Sequence, residues 1–389
     1  MRVIVAPDSF KGSVSAVAAA EAMARGVLTV FPEAEVTRVP IADGGEGTVE
    51  ALVAATRGRV EHATVRGPLG EPVRADWGVL GDGATAVIEM AAASGLPLVP
   101  AGRRDPRITT TFGTGELMRI ALDAGLRKLV VGIGGSATND GGAGMARALG
   151  ARFLDAEGRA LPEGGAALAR LARIDLSGLD PRLATSAILV ACDVDNPLTG
   201  PRGASAVYGP QKGATPDMVE KLDAALGNYA RVATAATGRD VANIAGAGAA
   251  GGLGAGLLFF TSARLRPGVE IVLETTGFSR LVAQADLVIT GEGRTDFQTA
   301  MGKAPVGVAR VAQQHGVPAV CISGSLGQGA EEVLTRGIDA LTSVVPAPMT
   351  LEECMARGAE ILEAGAARAA RLLRVGMALG GEGRRRDRR

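Results

Sequence analysis

Five short stretches of this chain place glycine beside Asp, Glu, Ser, Thr or Lys, the residue types that handle phosphate. The longest is Gly134-Gly135-Ser136-Ala137-Thr138-Asn139-Asp140-Gly141-Gly142. Glycine allows sharp turns and close backbone approach, so the N–H groups of Gly134, Gly135 and Gly141 can face an anion. Ser136, Thr138, Asn139 and Asp140 add capping oxygens or direct ligand contacts. A ligand-free, well-capped connection is the competing account of the same residues.

The other four stretches add charge. Asp8, Ser9 and Lys11 form one group, in which Lys11 neutralises a phosphate or carboxylate, or is simply a solvated loop lysine. Asp43 and Glu46 lie among Gly44, Gly45 and Gly47. They hold Mg²⁺ through water or orient a substrate hydroxyl, or else serve the following helix as a cap and a first-turn acid. Cys192-Asp193-Val194-Asp195-Asn196-Pro197 offers Asp193 as a base or metal ligand and Asn196 as a polar partner, while Asp195 and Pro197 shape the turn. The last stretch is Gly291-Glu292-Gly293-Arg294-Thr295-Asp296. Glu89, at the end of an apolar run, either faces a cleft or pairs with an arginine.

Little competes with this chemistry. The two histidines, His62 and His315, lie outside the polar glycine loops and read as surface residues. Cys192, Cys321 and Cys354 are too far apart for a disulfide framework or a paired zinc site. What remains suits phosphoryl transfer, which needs donors around phosphates, cations to neutralise charge and a carboxylate to take the hydroxyl proton. The common nucleotide motifs are absent. Gly302-Lys303 is followed by Ala304 where a P-loop needs Ser or Thr, and there is no H-R-D. Gly246-Ala247-Gly248-Ala249-Ala250-Gly251 has dinucleotide-loop spacing, with Glu270 at a suitable distance, but lacks a clear preceding strand. Close packing of the helix over 253–260 is the preferred account.

The elements that must carry these loops follow from periodicity. Apolar runs at 3–6, 36–39, 129–133, 188–191, 286–290, 319–322 and 341–344 read as buried strands. Helices are expected over 15–30, 49–55, 143–149, 218–237 and 351–373. Alternating runs at 60–65, 73–80 and 85–90 read as hairpin strands. The expected fold class is α/β: a parallel-sheet domain built from both chain ends (1–75 and 285–375), with an inserted α/β domain of mixed sheet (76–284). The arginine-rich stretch 376–389 is expected to be a disordered tail.

With 389 residues and 47% hydrophobic content, the chain has material for about two domains. Its formal charge of zero provides no general attraction to nucleic acid or membrane surfaces, and 3% aromatic content argues against base-stacking platforms. The N-terminus runs directly into a strand without signal-peptide character, and no apolar run reaches membrane-spanning length, so a cytoplasmic location is expected.

Taken together, Ala6-Pro7-Asp8-Ser9-Phe10-Lys11-Gly12-Ser13, Ala42-Asp43-Gly44-Gly45-Glu46-Gly47-Thr48, the stretch 134–142, Cys192-Asp193-Val194-Asp195-Asn196-Pro197-Leu198 and Thr290-Gly291-Glu292-Gly293-Arg294-Thr295-Asp296 resemble the type-1 glycerate kinases of bacteria, in order and over about residues 1–373. The resemblance implies a flavodoxin-like (Rossmann-like) domain, an inserted α/β domain and an active site in the cleft between them. It implies ATP as co-substrate, Mg²⁺ as cofactor and D-glycerate as acceptor, giving 2-phosphoglycerate (or 3-phosphoglycerate) and ADP. Only the arginine-rich tail departs from the pattern.

Within that expectation, Asp193 is assigned as base and Lys11 as a second catalytic residue. Asp8, Ser9, Lys11, Arg294 and Asn196 bind substrate. Gly134, Gly135, Ser136, Thr138, Asn139, Asp140 and Gly141 bind nucleotide phosphates, and Asp43, Glu46 and Asp296 hold metal. No nucleic-acid or membrane partner is expected, and the chain is a monomer or homodimer. Two rival readings stand beside this one: an NAD-dependent oxidoreductase resting on Gly246 to Gly251, and a non-catalytic sensor of small acids.

Overall fold

The computed structural model describes residues 1–386. The chain divides into two compact units, Met1–Asp43 with the segment from Val272 onward, and Gly44–Ile271. Sequence pattern set the divisions about thirty residues later on the first pass and about a dozen later on the second. The first difference has a packing cause. Helix Thr48–Thr56 lies on the sheet of the second unit, where Gly78 makes room for it. A Cβ at Gly78 would stand 2.5 Å from a Val53 methyl.

Among the described residues, the first unit holds a five-stranded parallel sheet. Strand Arg2–Pro7 is flanked by Glu35–Arg38 on one side and Leu287–Gly291 on the other, followed by Ala319–Ser323 and Ala340–Ser343. Numbered along this unit alone, the order is 2-1-3-4-5, the flavodoxin-like winding. Its central strands are mostly apolar because a parallel sheet is covered on both faces. Val3, Val5, Ile289 and Ile322 share a core with Met23 and Val27 of helix Ala16–Val30 and with Ile361 and Leu362 of the terminal helix. Ser15 caps the first of these helices by accepting the Ala18 N–H at 3.3 Å. Gly26 lets the two helices touch, since a Cβ there would stand 2.3 Å from the Glu363 carbonyl oxygen.

The terminal helix spans Gly358–Arg386, so residues 376–386 of the expected disordered tail are helical, and residues 387–389 lie outside the described residues. Ala, Leu, Met, Glu and Arg propagate a helix once a packed first half has nucleated it.

The second unit holds a six-stranded mixed sheet. Arg59–Arg66, Pro72–Val79 and Thr85–Glu89 form the antiparallel hairpins that alternation predicts. Thr85–Glu89, Lys128–Gly132, Ala187–Ala191 and Arg264–Arg266 continue the sheet in parallel. Their carboxyl ends therefore fall on one edge, where loops beginning at Met90, Ile133 and Cys192 emerge side by side. Ligands of open α/β sheets bind at such edges. No helix among the described residues is long and apolar enough to cross a membrane.

Candidate active site

In a 2-1-3-4-5 sheet the winding reverses between the first and third strands, and the crevice at their carboxyl ends is the natural ligand site. In the first unit these are Arg2–Pro7 and Leu287–Gly291. The chain leaves the first strand through Asp8, Ser9 and Lys11, and the other through Glu292 and Arg294. The Asp8 N–H donates to the Gly291 carbonyl at 2.8 Å, binding the two loops together. Gly293 lies flat against Phe10, and the Ile41 N–H, donating to Pro7 O at 2.9 Å, brings the segment carrying Asp43 to the same edge.

Three carboxylates thus share this edge. Asp8 is 9% exposed, and its Oδ1 accepts the Ser9 N–H at 2.6 Å. Burial, reinforced by Asp43 and Glu292, pushes the Asp8 carboxyl up to about 7, against the opposing pull of the Ser9 hydrogen bond and Lys11. Glu292 is also buried, which raises its proton affinity. Its Oε1 accepts from Thr299 Oγ1 at 2.6 Å and Thr295 Oγ1 at 3.3 Å. Asp43 is half-buried and Lys11 exposed. A buried carboxyl whose proton leaves near neutrality, beside an exposed lysine, is equipped to receive a hydroxyl proton next to an anion.

Arg294 and Asp296 are engaged with each other and with the backbone. Arg294 Nε lies 3.5 Å from Asp296 Oδ2, while Asp296 caps the turn Phe297–Ala300 by accepting the Gln298 N–H at 2.9 Å. The guanidinium is largely exposed and open to a ligand; the carboxylate expected to hold metal is spent on a capping box.

In the second unit, the stretch 134–142 connects the expected strand and helix, but most of it is interior. Thr138, Asn139 and Asp140 are buried, as is Gly141. The Asp140 carboxylate accepts N–H groups from Thr111 at 2.8 Å, Gly142 at 3.0 Å and Gly144 at 3.1 Å, plus the Thr111 hydroxyl at 2.9 Å. Burial raises its proton affinity, against these donors. The helix start that sequence offered to phosphate is filled by the chain's own carboxylate. Gly141 N–H goes to Gly251 O at 3.0 Å. Of the residues expected to bind phosphate, Thr138, Asn139, Asp140 and Gly141 are buried, and Asn139, Asp140 and Gly141 bond within the protein. Gly134 is half-buried with its N–H donating to Gly44 O at 3.4 Å, Gly135 is exposed with φ 72, and Ser136 beside them is buried; Gly135 is the most accessible of the three.

The same substitution of carboxylate for ligand recurs at helix Thr48–Thr56. Glu89 Oε1 accepts the Val49 N–H at 2.7 Å, so Glu89 pairs with a helix start rather than an arginine. Glu46 is exposed on the preceding loop.

Asp193 is exposed and its Oδ1 accepts the Gly268 N–H at 2.8 Å, at the start of helix Gly268–Thr275. Asn196 braces its own loop: Nδ2 donates to Arg202 O at 2.8 Å and Oδ1 accepts from Tyr208 at 2.6 Å. Both side chains have structural work that the sequence reading did not foresee.

Two residues lie outside the roles assigned from sequence. Glu292 follows the strand Leu287–Gly291 immediately and stands with Asp8 at the same edge of the first unit. Lys212 is buried and donates to Ser136 Oγ at 2.8 Å and Thr138 O at 2.7 Å. No local signal marks such burial, because its partners lie more than seventy residues away. The dinucleotide reading loses its ground: residues 240–248 contain no strand, and a Cβ at Gly251 would stand 1.9 Å from Thr138 O.

Among the described residues, no group of three or more His, Cys, Asp or Glu side chains is arranged to hold a metal ion. Mg²⁺ bound with a nucleotide takes most ligands from phosphate and water and needs one or two carboxylates. The half-buried Asp43 and the exposed Glu46 are of that donor type.

A model of the glycerate kinase family matches residues 3–374. Glycerate kinase of Bacillus subtilis (strain 168) is 57% identical over 363 residues, 93% of this chain and 95% of that protein. Glycerate 2-kinase of Escherichia coli (strain K12) is 53% identical over 359 residues, 92% of this chain and 94% of that one. The crystal structure of a protein described as glycerate kinase 2 from Salmonella typhimurium LT2 matches with a TM-score of 0.89 and 51% identity, covering 97% of this chain and 99% of that one.

Proposed function

Because this chain belongs to the glycerate kinase family, and is therefore a kinase, we propose that it transfers the γ-phosphoryl group of ATP to the 2-hydroxyl of D-glycerate, giving 2-phosphoglycerate and ADP. The choice of the 2-hydroxyl follows the glycerate 2-kinase of E. coli. The observation that supports the mechanism most is Asp8, a nearly buried carboxylate at the switch point of the first unit with its pKa pushed up to about 7.

In this reading Asp8 is the base. Its carboxylate takes the proton of the substrate hydroxyl as that oxygen bonds to the γ-phosphorus, and the bond from the γ-phosphorus to the bridging oxygen breaks, releasing ADP. Lys11 and Arg294, both exposed cations on the same edge, bind the glycerate carboxylate or the phosphoryl group in flight. Ser9 adds a hydroxyl contact. The loop at Gly134 and Gly135 of the second unit receives nucleotide phosphates through its backbone, with the exposed Gly135 foremost and the buried Ser136 behind it. Asp43 and Glu46 are the carboxylates that would hold Mg²⁺, which would neutralise phosphate charge. Asp193, with one oxygen on Gly268, is reassigned from base to loop support.

The test is to incubate the protein with D-glycerate, ATP and Mg²⁺ and identify products by phosphorus NMR. 2-Phosphoglycerate with stoichiometric ADP is expected. 3-Phosphoglycerate would move the attack to the other hydroxyl, and a protein that binds no ATP would end the reading.

A further inference from the structure

The glycine loop of the second unit is held by a side chain that the proposed chemistry does not use. We infer that Lys212 is a positioning residue of this loop, clamping Ser136 and the Thr138 carbonyl so that Gly134 and Gly135 are fixed in the geometry that receives nucleotide phosphate. This rests on the reading of that loop as the phosphate site.

The clamp is built from the segment 204–213. Its Ser205 hydroxyl accepts from Asn139 Nδ2 at 2.9 Å, and its Lys212 ammonium donates to Ser136 Oγ at 2.8 Å and Thr138 O at 2.7 Å. One short segment therefore holds the loop at Ser136, Thr138 and Asn139. The path of Lys212 is itself constrained. It ends the turn Pro210–Lys212, and the following Gly213 has φ 98, with room for a Cβ removed by the Arg104 carbonyl oxygen at 2.4 Å. Only glycine adopts that conformation against such a neighbour without strain.

At Thr138 and Asn139 the loop's own side chains offer little to replace the clamp, since its other anchor, Asp140, bonds Thr111, Gly142 and Gly144. Thr138 Oγ1 and Asn139 Oδ1 are buried without hydrogen-bond partners. At 1% exposure Lys212 is too deep to be a phosphate ligand itself. Burial pulls its pKa down to about 7, with the Asp140 carboxylate opposing. A methionine in its place removes that desolvation penalty while leaving Ser136 Oγ and Thr138 O without their donor. The variant thus separates holding the loop from holding the fold.

Lys212→Met and Lys212→Ala are compared with wild type for ATP binding by calorimetry, for the KM of ATP and of D-glycerate, and for the urea midpoint. Lys212→Met is expected to raise the KM and Kd for ATP at least tenfold. Its KM for glycerate should stay within twofold and its urea midpoint near that of wild type. In Lys212→Ala, n-propylammonium should recover part of the ATP affinity, and sodium chloride at equal concentration should not. ATP binding and KM unchanged in a folded Lys212→Met would overturn the inference. So would a parallel loss of affinity for both substrates together with a lowered midpoint, and so would Lys212→Ala that no amine improves. Wild-type protein that fails to bind ATP would overturn the phosphate-site reading itself, and this inference with it; binding by wild type and variants alike sinks the inference alone.

Discussion

Asp8→Asn tests the proposed base through two independent readouts. Burial and the neighbouring acids lift the Asp8 carboxyl from 3.8 to about 7. A rise of about three units corresponds to roughly 4 kcal/mol at about 1.4 kcal/mol per unit. The folded protein keeps this proton up to pH about 7, whereas the unfolded chain releases it near 3.8. Between those values the native state binds more protons, so stability falls as pH rises through the window, and the full loss is present above it. Asparagine cannot ionise, and its carbonyl oxygen can still accept the Ser9 N–H.

The stability difference, variant minus wild type, should therefore be near zero at pH 4 and grow to about 2–4 kcal/mol in favour of the variant at pH 8. Urea unfolding of both proteins from pH 4 to 9 measures it, and pH effects common to the two cancel in the difference. Over the same range the variant should lose about 10²–10⁴-fold in kcat. A difference that stays flat with pH, accompanied by a wild-type kcat, would refute the reasoning: Asp8 would be neither unfavourably buried when charged nor the acceptor of the proton.

Other perturbations probe the second unit. Asp140→Ala leaves the N–H groups of Thr111, Gly142 and Gly144 without their acceptor in the interior. A loss of about 3 kcal/mol or more by chemical denaturation is expected, and less than 1 kcal/mol would mean those donors find other partners. Asp193→Asn keeps an acceptor for Gly268, so kcat within about threefold of wild type and stability within about 1 kcal/mol are expected; a hundredfold fall in kcat would restore Asp193 as the base. Gly251→Ala places a methyl group 1.9 Å from Thr138 O at φ 67 and should lower the unfolding midpoint by the equivalent of about 3 kcal/mol, whereas a neutral effect would show that the packed loop yields easily.

The sequence by itself determined the elements and the loops that carry chemistry. Short apolar runs such as 286–290 and 319–322, set between turn residues, read as strands buried on both faces, and the alternation at 60–65, 73–80 and 85–90 reads as hairpins, because side-chain period follows backbone geometry. The five motifs likewise sufficed for the family. The fold then decided which motif residues meet a ligand. Asp140 and Glu89 look like site acids in sequence but close helix starts from within, since an unpaired buried N–H is costlier than a carboxylate spent on it. Asp193 accepts the Gly268 N–H in the same way, and Asn196 braces its loop through Tyr208 and Arg202.

Conversely, Asp8 gains its character from burial and then from Asp43 and Glu292, residues 35 and 284 positions away along the chain. Lys212 gains its character from partners 76 and 74 positions away. Burial, hydrogen-bond partners and proton affinity depend on distances through space. Local spacing in a chain encodes the strand, the turn and the helix, and long-range packing alone places one loop's charge against another's.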